Sequence, residues 1–270
     1  MSPNSVENFL SVLKETYNKE LYSSHPFSIE FGSSSINRLQ NTTVKGVAIA
    51  TYVNLKFVHF MVENKLNIAL TLFPLSFYEK RGSLDDKDHE LIRSLVTHDL
   101  WVVKLPESWL YASHGGLLYF LQTLGISNVS YDYFKLSNGK TLTNWQIPSL
   151  TLKEFLLNLQ HLNKNWLIGS NKLDSANLSL VFETEPFTYN DLSTLKNEGV
   201  NTIVSFNFDS KNYMLYSAEK LNYFFIPLND FCNIALKKFA QVLQFDTATK
   251  IQSYQQDGGI IKSYHHLQDE

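Results

Sequence analysis

The sequence predicts an α/β fold in which two similar strand-helix-strand halves form a pseudo-symmetric α/β structure. Three observations carry this reading. Short, almost wholly apolar runs of strand length, at 44–50, 67–72, 176–182 and 200–206, alternate with amphipathic runs of helical length, the pattern of a parallel sheet covered by helices. The strand-helix-strand plan of residues 44–72 recurs at residues 176–206, an offset of about 134 residues. The chain's 270 residues suffice for one large or two small domains with a sizeable core.

In chain order, the first element is a helix with Ser5 as N-cap and Phe9, Leu10, Val12, Leu13 and Tyr17 on its buried side, broken at Ser24-His25-Pro26-Phe27. The loop Gly32-Ser33-Ser34-Ser35 leads to the first unit: strand Val44–Ala50, helix Leu55–Asn64 and parallel strand Asn67–Leu72, closed by the turn Arg81-Gly82-Ser83. A helix over Asp85–Thr97 feeds a strand over Leu100–Leu105, and Ser113-His114-Gly115-Gly116 opens a helix over Leu117–Leu124, stopped by Gly125. From Ser127 to Pro148 the texture turns polar and aromatic, with Ser137-Asn138-Gly139-Lys140 as a hairpin turn. Thr151 and Glu154 are spaced as a capping box for a helix to Leu162. The second unit follows as strand Ala176–Phe182, helix Thr188–Asn197 and strand Val200–Phe206, then a strand over Tyr223–Leu228 and a helix over Asn233–Leu243. The expected organisation is a first half at 1–126, a connecting excursion at 127–150, a second half at 151–256 and a C-terminal tail at 257–270, read as a last strand and a frayed end.

Composition narrows the partners. Charged residues are 18% of the chain, below the usual quarter or so, which points to surface buried in an oligomer. A formal net charge of −3 supplies no basic footprint, so nucleic acid is disfavoured as a partner. One cysteine, Cys232, allows no intrachain disulfide, and no apolar run approaches the roughly 18 residues of a membrane span. The N-terminal segment has amphipathic spacing, unlike a signal peptide, and the expectation is a cytoplasmic protein without a membrane partner.

Most isolated chemical signals have ordinary explanations. Cys232 lies at helical spacing among apolar residues, as core. His114-Gly115-Gly116 reads as a tight turn before it reads as an anion-binding helix start, and Gly32-Ser33-Ser34-Ser35 lacks the lysine and spacing of a phosphate loop. His59, mid-helix beside Phe57, Val58 and Phe60, reads as a satisfied, partly buried histidine, and His265-His266 with Asp269 and Glu270 as a solvated end. Trp109 and Tyr111 fit a core more readily than a stacking platform for a planar ligand.

In open α/β sheets ligands gather at the carboxyl ends of the strands, where this chain has Thr71-Leu72-Phe73-Pro74-Leu75-Ser76-Phe77. That segment and the order of elements, with Leu110, Gly115 and Gly116 downstream, resemble the family called NGG-one-interacting factor three, also known as GTP cyclohydrolase I type 2, in its short form. The resemblance spans roughly residues 5–256. It implies a ring-shaped hexamer, a trimer of dimers, and a site for two metal ions. The family's paired histidines fall on Leu72 and Phe73, the aspartate of its next motif on Tyr111 and the histidine opening that motif on Glu107, and its final histidine and glutamate on Asp230 and Ile234. Of the five family ligand positions Leu72, Phe73, Tyr111, Asp230 and Ile234, only Asp230 keeps a metal-binding group, too few for a dinuclear site.

The expected function is therefore that of a catalytically degenerate member of that family, acting as a structural or ligand- and partner-binding subunit of a homo-oligomer, with no cofactor, no resident metal and no assigned catalytic residue. The alternative is a metal-dependent hydrolase, GTP cyclohydrolase-like or acting on a phosphoester, with zinc or iron in a site rebuilt from Glu107, His114 and Asp230. A protein partner, unknown in kind, is suggested only by the family's name.

Overall fold

The computed structural model describes residues 5–17, 27–75, 84–110, 115–148, 150–162, 167–169, 177–183 and 185–256. Its elements in order are α1 (Val6–Tyr17), β1 (Ser28–Phe31), α2 (Ile36–Asn41), β2 (Val47–Ala50), α3 (Leu55–Glu63), β3 (Ile68–Thr71), α4 (Asp86–Thr97), β4 (Trp101–Lys104), a 3-10 turn (Glu107–Leu110), α5 (Gly116–Thr123), β5 (Ser130–Lys135), β6 (Thr141–Ile147), α6 (Leu152–Leu162), β7 (Leu167–Gly169), β8 (Leu178–Glu183), α7 (Tyr189–Asn197), β9 (Thr202–Ser205), α8 (Ser210–Ala218), β10 (Asn222–Phe225), α9 (Leu228–Thr247) and β11 (Ile251–Ser253). Two compact units divide the described residues: the first takes 5–119 and 232–256, the second 120–231.

Each unit has its own sheet. The first runs β1-β4-β3-β2-β11, with β1 antiparallel at one edge and the other four strands parallel. The second runs β5-β6-β8-β9-β10-β7, where β8, β9 and β10 are parallel, β7 pairs antiparallel at one edge, and β5 and β6 pair antiparallel at the other. Both carry the predicted repeat in register: Val47, Ile68 and Trp101 lie side by side across the first sheet, and Leu180, Thr202 and Asn222 across the second. Strands β2, β3 and β9 are buried along their whole length, as parallel strands covered on both faces must be.

The repeat extends to single atoms. Helices α3, α4, α5, α7 and α8 each end on a residue with positive φ: Lys65, Asp99, Gly125, Gly199 and Lys220. Each is followed by a buried aliphatic, Leu66, Leu100, Ile126, Val200 or Leu221, whose N–H returns to the helix five residues back (Leu66 to the Met61 carbonyl at 2.9 Å, Val200 to that of Leu195 at 2.9 Å). This left-handed cap satisfies carbonyls the helix leaves unpaired and seats an apolar anchor under it. Just before β3 and β9, Asn67 and Asn201 then use their side-chain amides identically. Asn67 Oδ1 accepts the Lys45 N–H at 2.8 Å while its Nδ2 donates to the Thr43 carbonyl at 2.8 Å; Asn201 accepts from Ser179 at 3.1 Å and donates to Asn177 at 3.0 Å.

Several predicted elements stand: the Ser5 cap, whose Oγ accepts the Asn8 N–H, the Thr151–Glu154 capping box, the Gly139 turn and the Gly125 stop. Others are corrected. The stretch expected as a connecting excursion at 127–150 forms β5 and β6, and β6 pairs with β8 inside the second sheet. Residues 232–256, expected in the second half, belong to the first unit, because β11 pairs with β2. Strands β1 and β7 and helices α2 and α8 had no counterpart in the sequence reading, and α9 is about twice as long as expected. The chain at Gly32 has φ +125, and a Cβ there would lie 2.6 Å from the Trp101 ring, so glycine lets β1 end against that indole. His59 is exposed on α3 rather than partly buried. Cys232 is fully buried, and burial pushes its thiol well above the usual range, which suits core packing. The turn at 81–83 and the tail from 257 lie outside the described residues. No helix among the described residues is long and apolar enough to cross a membrane.

Candidate functional site

The carboxyl edge of the first sheet is where an open α/β fold would hold a ligand, and β2 and β3 deliver Thr51-Tyr52 and Leu72-Phe73 to it. Leu72 is 2% exposed and Phe73 partly buried. Their backbone N–H groups, which in an anion-binding loop would point outward, both donate to the Thr51 carbonyl, at 3.1 and 3.0 Å. The turn is sealed onto β2.

Around it runs a network of neutral groups. The Thr51 hydroxyl lies 3.4 Å from Asn233 Oδ1 on α9 and donates to it, and Asn233 Nδ2 donates to the Gln256 carbonyl at 3.1 Å. The buried Gln256 amide pairs at two points with the backbone of Tyr52, its Nε2 donating to the carbonyl at 2.6 Å and its Oε1 accepting the N–H at 3.2 Å. Ile234, one residue beyond Asn233, is partly buried. The polar atoms at this edge thus bond one another, which is the condition for burying them without a large desolvation cost. None of Thr51, Leu72, Phe73, Asn233 and Gln256 changes charge near neutral pH, so these five described residues can recognise by hydrogen bonding and apolar contact but not move a proton or charge-balance a cation.

The other expected positions are distributed as follows. Asp230 is in the first turn of α9, partly buried, among the second unit's residues, where a carboxylate favours the helix N-terminus. Glu107 opens the 3-10 turn, and its side chain lies outside the described residues, as do Tyr111 and His114 altogether. Trp109 is fully buried, its ring 5.0 Å from Phe239 and 6.1 Å from Tyr119, in the core. Among the described residues no three His, Cys, Asp or Glu side chains are grouped to hold a metal ion. A dinuclear centre does not fit the residues described at this edge: Leu72, Phe73 and Ile234 have no lone pair to give, and the nearest polar atoms are already engaged with one another. Sequence reasoning missed Thr51, Asn233 and Gln256. An asparagine beside Ile234, a position to which the resemblance assigned a ligand, was the available signal.

The whole fold matches solved structures. A protein from Bacillus cereus described as related to NIF3 superposes with a TM-score of 0.70 at 12% identity, over 97% of this chain and 99% of that one. This is the NIF3 fold. Staphylococcus aureus protein SA1388 matches with a TM-score of 0.70 at 12% identity, covering 96% of this chain and 99% of its own. HcgD from Methanocaldococcus jannaschii, in its reduced form, matches with 0.71 at 14% identity, over 92% and 97%. No family model matches the sequence, and no curated protein does. The NIF3 fold is therefore visible in the arrangement of elements far more than in residue identities.

Proposed function

We propose that the chain is a member of the NGG-one-interacting factor three family whose metal chemistry has been lost, and that it works as a structural or binding subunit of a cytoplasmic homo-oligomer, a hexamer by family resemblance. The observation that carries this reading is the sealed carboxyl edge of the first sheet. Where the family resemblance calls for paired imidazoles, Leu72 is buried and the backbone behind it is tied to Thr51. A merely vacant site would keep its polar neighbours free for a ligand; here Thr51, Asn233 and Gln256 satisfy one another. The low charge content supports burial of surface between subunits.

The test is to put the histidines back. Leu72→His with Phe73→His would place two imidazoles against apolar neighbours, and buried polar groups left unsatisfied cost on the order of 1–3 kcal/mol each. The expected result is a lowered Tm that added zinc does not restore. The rival hydrolase, with a site rebuilt from Glu107, His114 and Asp230, predicts the reverse: the histidines would complete a metal shell, and zinc would raise Tm through its binding energy. Strong zinc stabilisation of the double variant would overturn the proposal. Light scattering that returned the single-chain mass of 31.1 kDa at micromolar concentration would remove the oligomer from it.

A further inference from the structure

The amino edge of the first sheet, opposite the sealed one, carries a cavity of about 520 Å³. Part of its lining is where the parallel strands begin: Lys45 stands two residues ahead of β2, Asn67 directly ahead of β3 and Asp99 two residues ahead of β4. Asn67 serves as wall. Both ends of its amide are spent on the backbone of Lys45 and Thr43, which fixes the stretch that carries the lysine. Helix α2 supplies another part of the lining with Asn37, Arg38 and Asn41, and it has no buried side chain of its own. It is tied down at its C-terminal end, where the Thr42 carbonyl accepts the Val6 N–H at 3.0 Å, and by Arg38, which pairs with Asp99 at 2.9 Å.

The charge of this lining is unbalanced. Arg38 and Lys45 face a single carboxylate, that of Asp99. The ion pair is one bond from Nη2, so it orients the guanidinium while leaving four of its five N–H donors. Among the described residues the Lys45 ammonium and the Asn37 side-chain amide have no hydrogen bond or ion pair, and Asn41, whose Nδ2 donates to the Asn37 carbonyl at 2.7 Å, keeps its Oδ1 as an acceptor. The repeat shows that the fold does not need these charges. In the second half Ser179 makes the backbone bond that Lys45 makes in the first, and Lys220 takes the left-handed cap position of Asp99.

The volume is that of a small-molecule site, and the lining selects the molecule. A cation meets a net positive wall, and an apolar body would strip water from the amides and the ammonium and return nothing. We propose that this cavity binds a small hydroxylated anion, a carboxylate or a phosphate monoester, whose charge is taken by Arg38 and Lys45 and whose hydroxyls are taken by Asn37 and Asn41. The planar donors of arginine suit either head group. The site is independent of the lost metal chemistry, which belonged to the opposite edge.

Ligand-observed NMR on the full chain tests this, with proton saturation transfer for glycerol 3-phosphate, glycerate and glycerol, and the phosphorus line width for inorganic phosphate. Glycerol 3-phosphate or glycerate is expected to saturate below about 10 mM, and the tighter of the two assigns the head group. Lys45→Gln and Arg38→Gln should each weaken that binding about tenfold. Asp99→Asn, which keeps a residue tolerant of φ +49, removes the one anion of the lining and should tighten binding about threefold. Lys153→Gln, at an exposed lysine of α6 in the other unit, should leave it unchanged. Should Arg38→Gln disturb α2, the variants at Lys45 and Asp99 still decide. Failure of both anions to saturate, glycerol or inorganic phosphate binding as tightly as they do, or an equal loss with Lys153→Gln would each overturn the proposal.

Discussion

Asn67→Ala is the sharpest test of the device that the two halves share. The asparagine is 5% exposed and bridges two backbone groups that belong to no strand ladder, the Lys45 N–H and the Thr43 carbonyl, each at 2.8 Å. Alanine removes both bonds and returns neither backbone group to a protein partner. A buried donor or acceptor left unpaired costs about 1–3 kcal/mol, so the expected loss is about 2–4 kcal/mol once partial access of water at exposed Lys45 and Thr43 is allowed for. At roughly 2–4 °C per kcal/mol this lowers the Tm of the first unit by roughly 5–15 °C. The companion Asn201→Ala breaks bonds at 3.1 and 3.0 Å around a half-buried side chain, together with the 2.8 Å bond from the Thr202 hydroxyl, and its expected cost is about 1–3 kcal/mol. Urea unfolding followed by far-ultraviolet circular dichroism, read from midpoints at constant m, measures both. A loss below about 1 kcal/mol at Asn67 would refute the reasoning, because it would mean that the bridged groups are as well served by solvent.

Two further outcomes follow from the caps and the carboxylates. Lys65→Gly and Lys220→Gly relieve a left-handed backbone that side chains disfavour and should each stabilise by about 0.5–1 kcal/mol, whereas Gly199→Ala at φ +74 should destabilise by about 1 kcal/mol; thermal unfolding that showed the same sign for all three would contradict this. Burial pushes Asp191 up, but hydrogen bonds from Thr188 and Ser137 and the attraction of Lys140 outweigh it, so its folded value lies below the ordinary 3.8. Its contribution is therefore present above about pH 4 and lost as pH falls through the folded value; an acid-unfolding curve unchanged by Asp191→Asn would sink the assignment.

Local physics was legible in the linear chain. Periodicity located the repeated strand-helix-strand core, and capping residues such as Ser5, Thr151 and Gly125 placed helix ends, because each acts within a few residues of itself. The apolar character of Leu72 and Phe73, and hence the lack of lone pairs there, was equally plain. Elements with weak local signals were missed: α8 buries one side chain and so shows almost no amphipathic stripe, and β1 and β7 are short edge strands. What only the tertiary structure decided were pairings between distant residues. That β11 joins β2, that β6 joins β8, that Gln256 clasps Tyr52 across 204 positions, and that Glu183 meets Tyr216 across 33, all depend on which backbone groups and side chains the folded chain leaves to one another. No local preference specifies such partners, since a carboxamide or a carboxyl reads the same in sequence whether it faces water or closes a buried network.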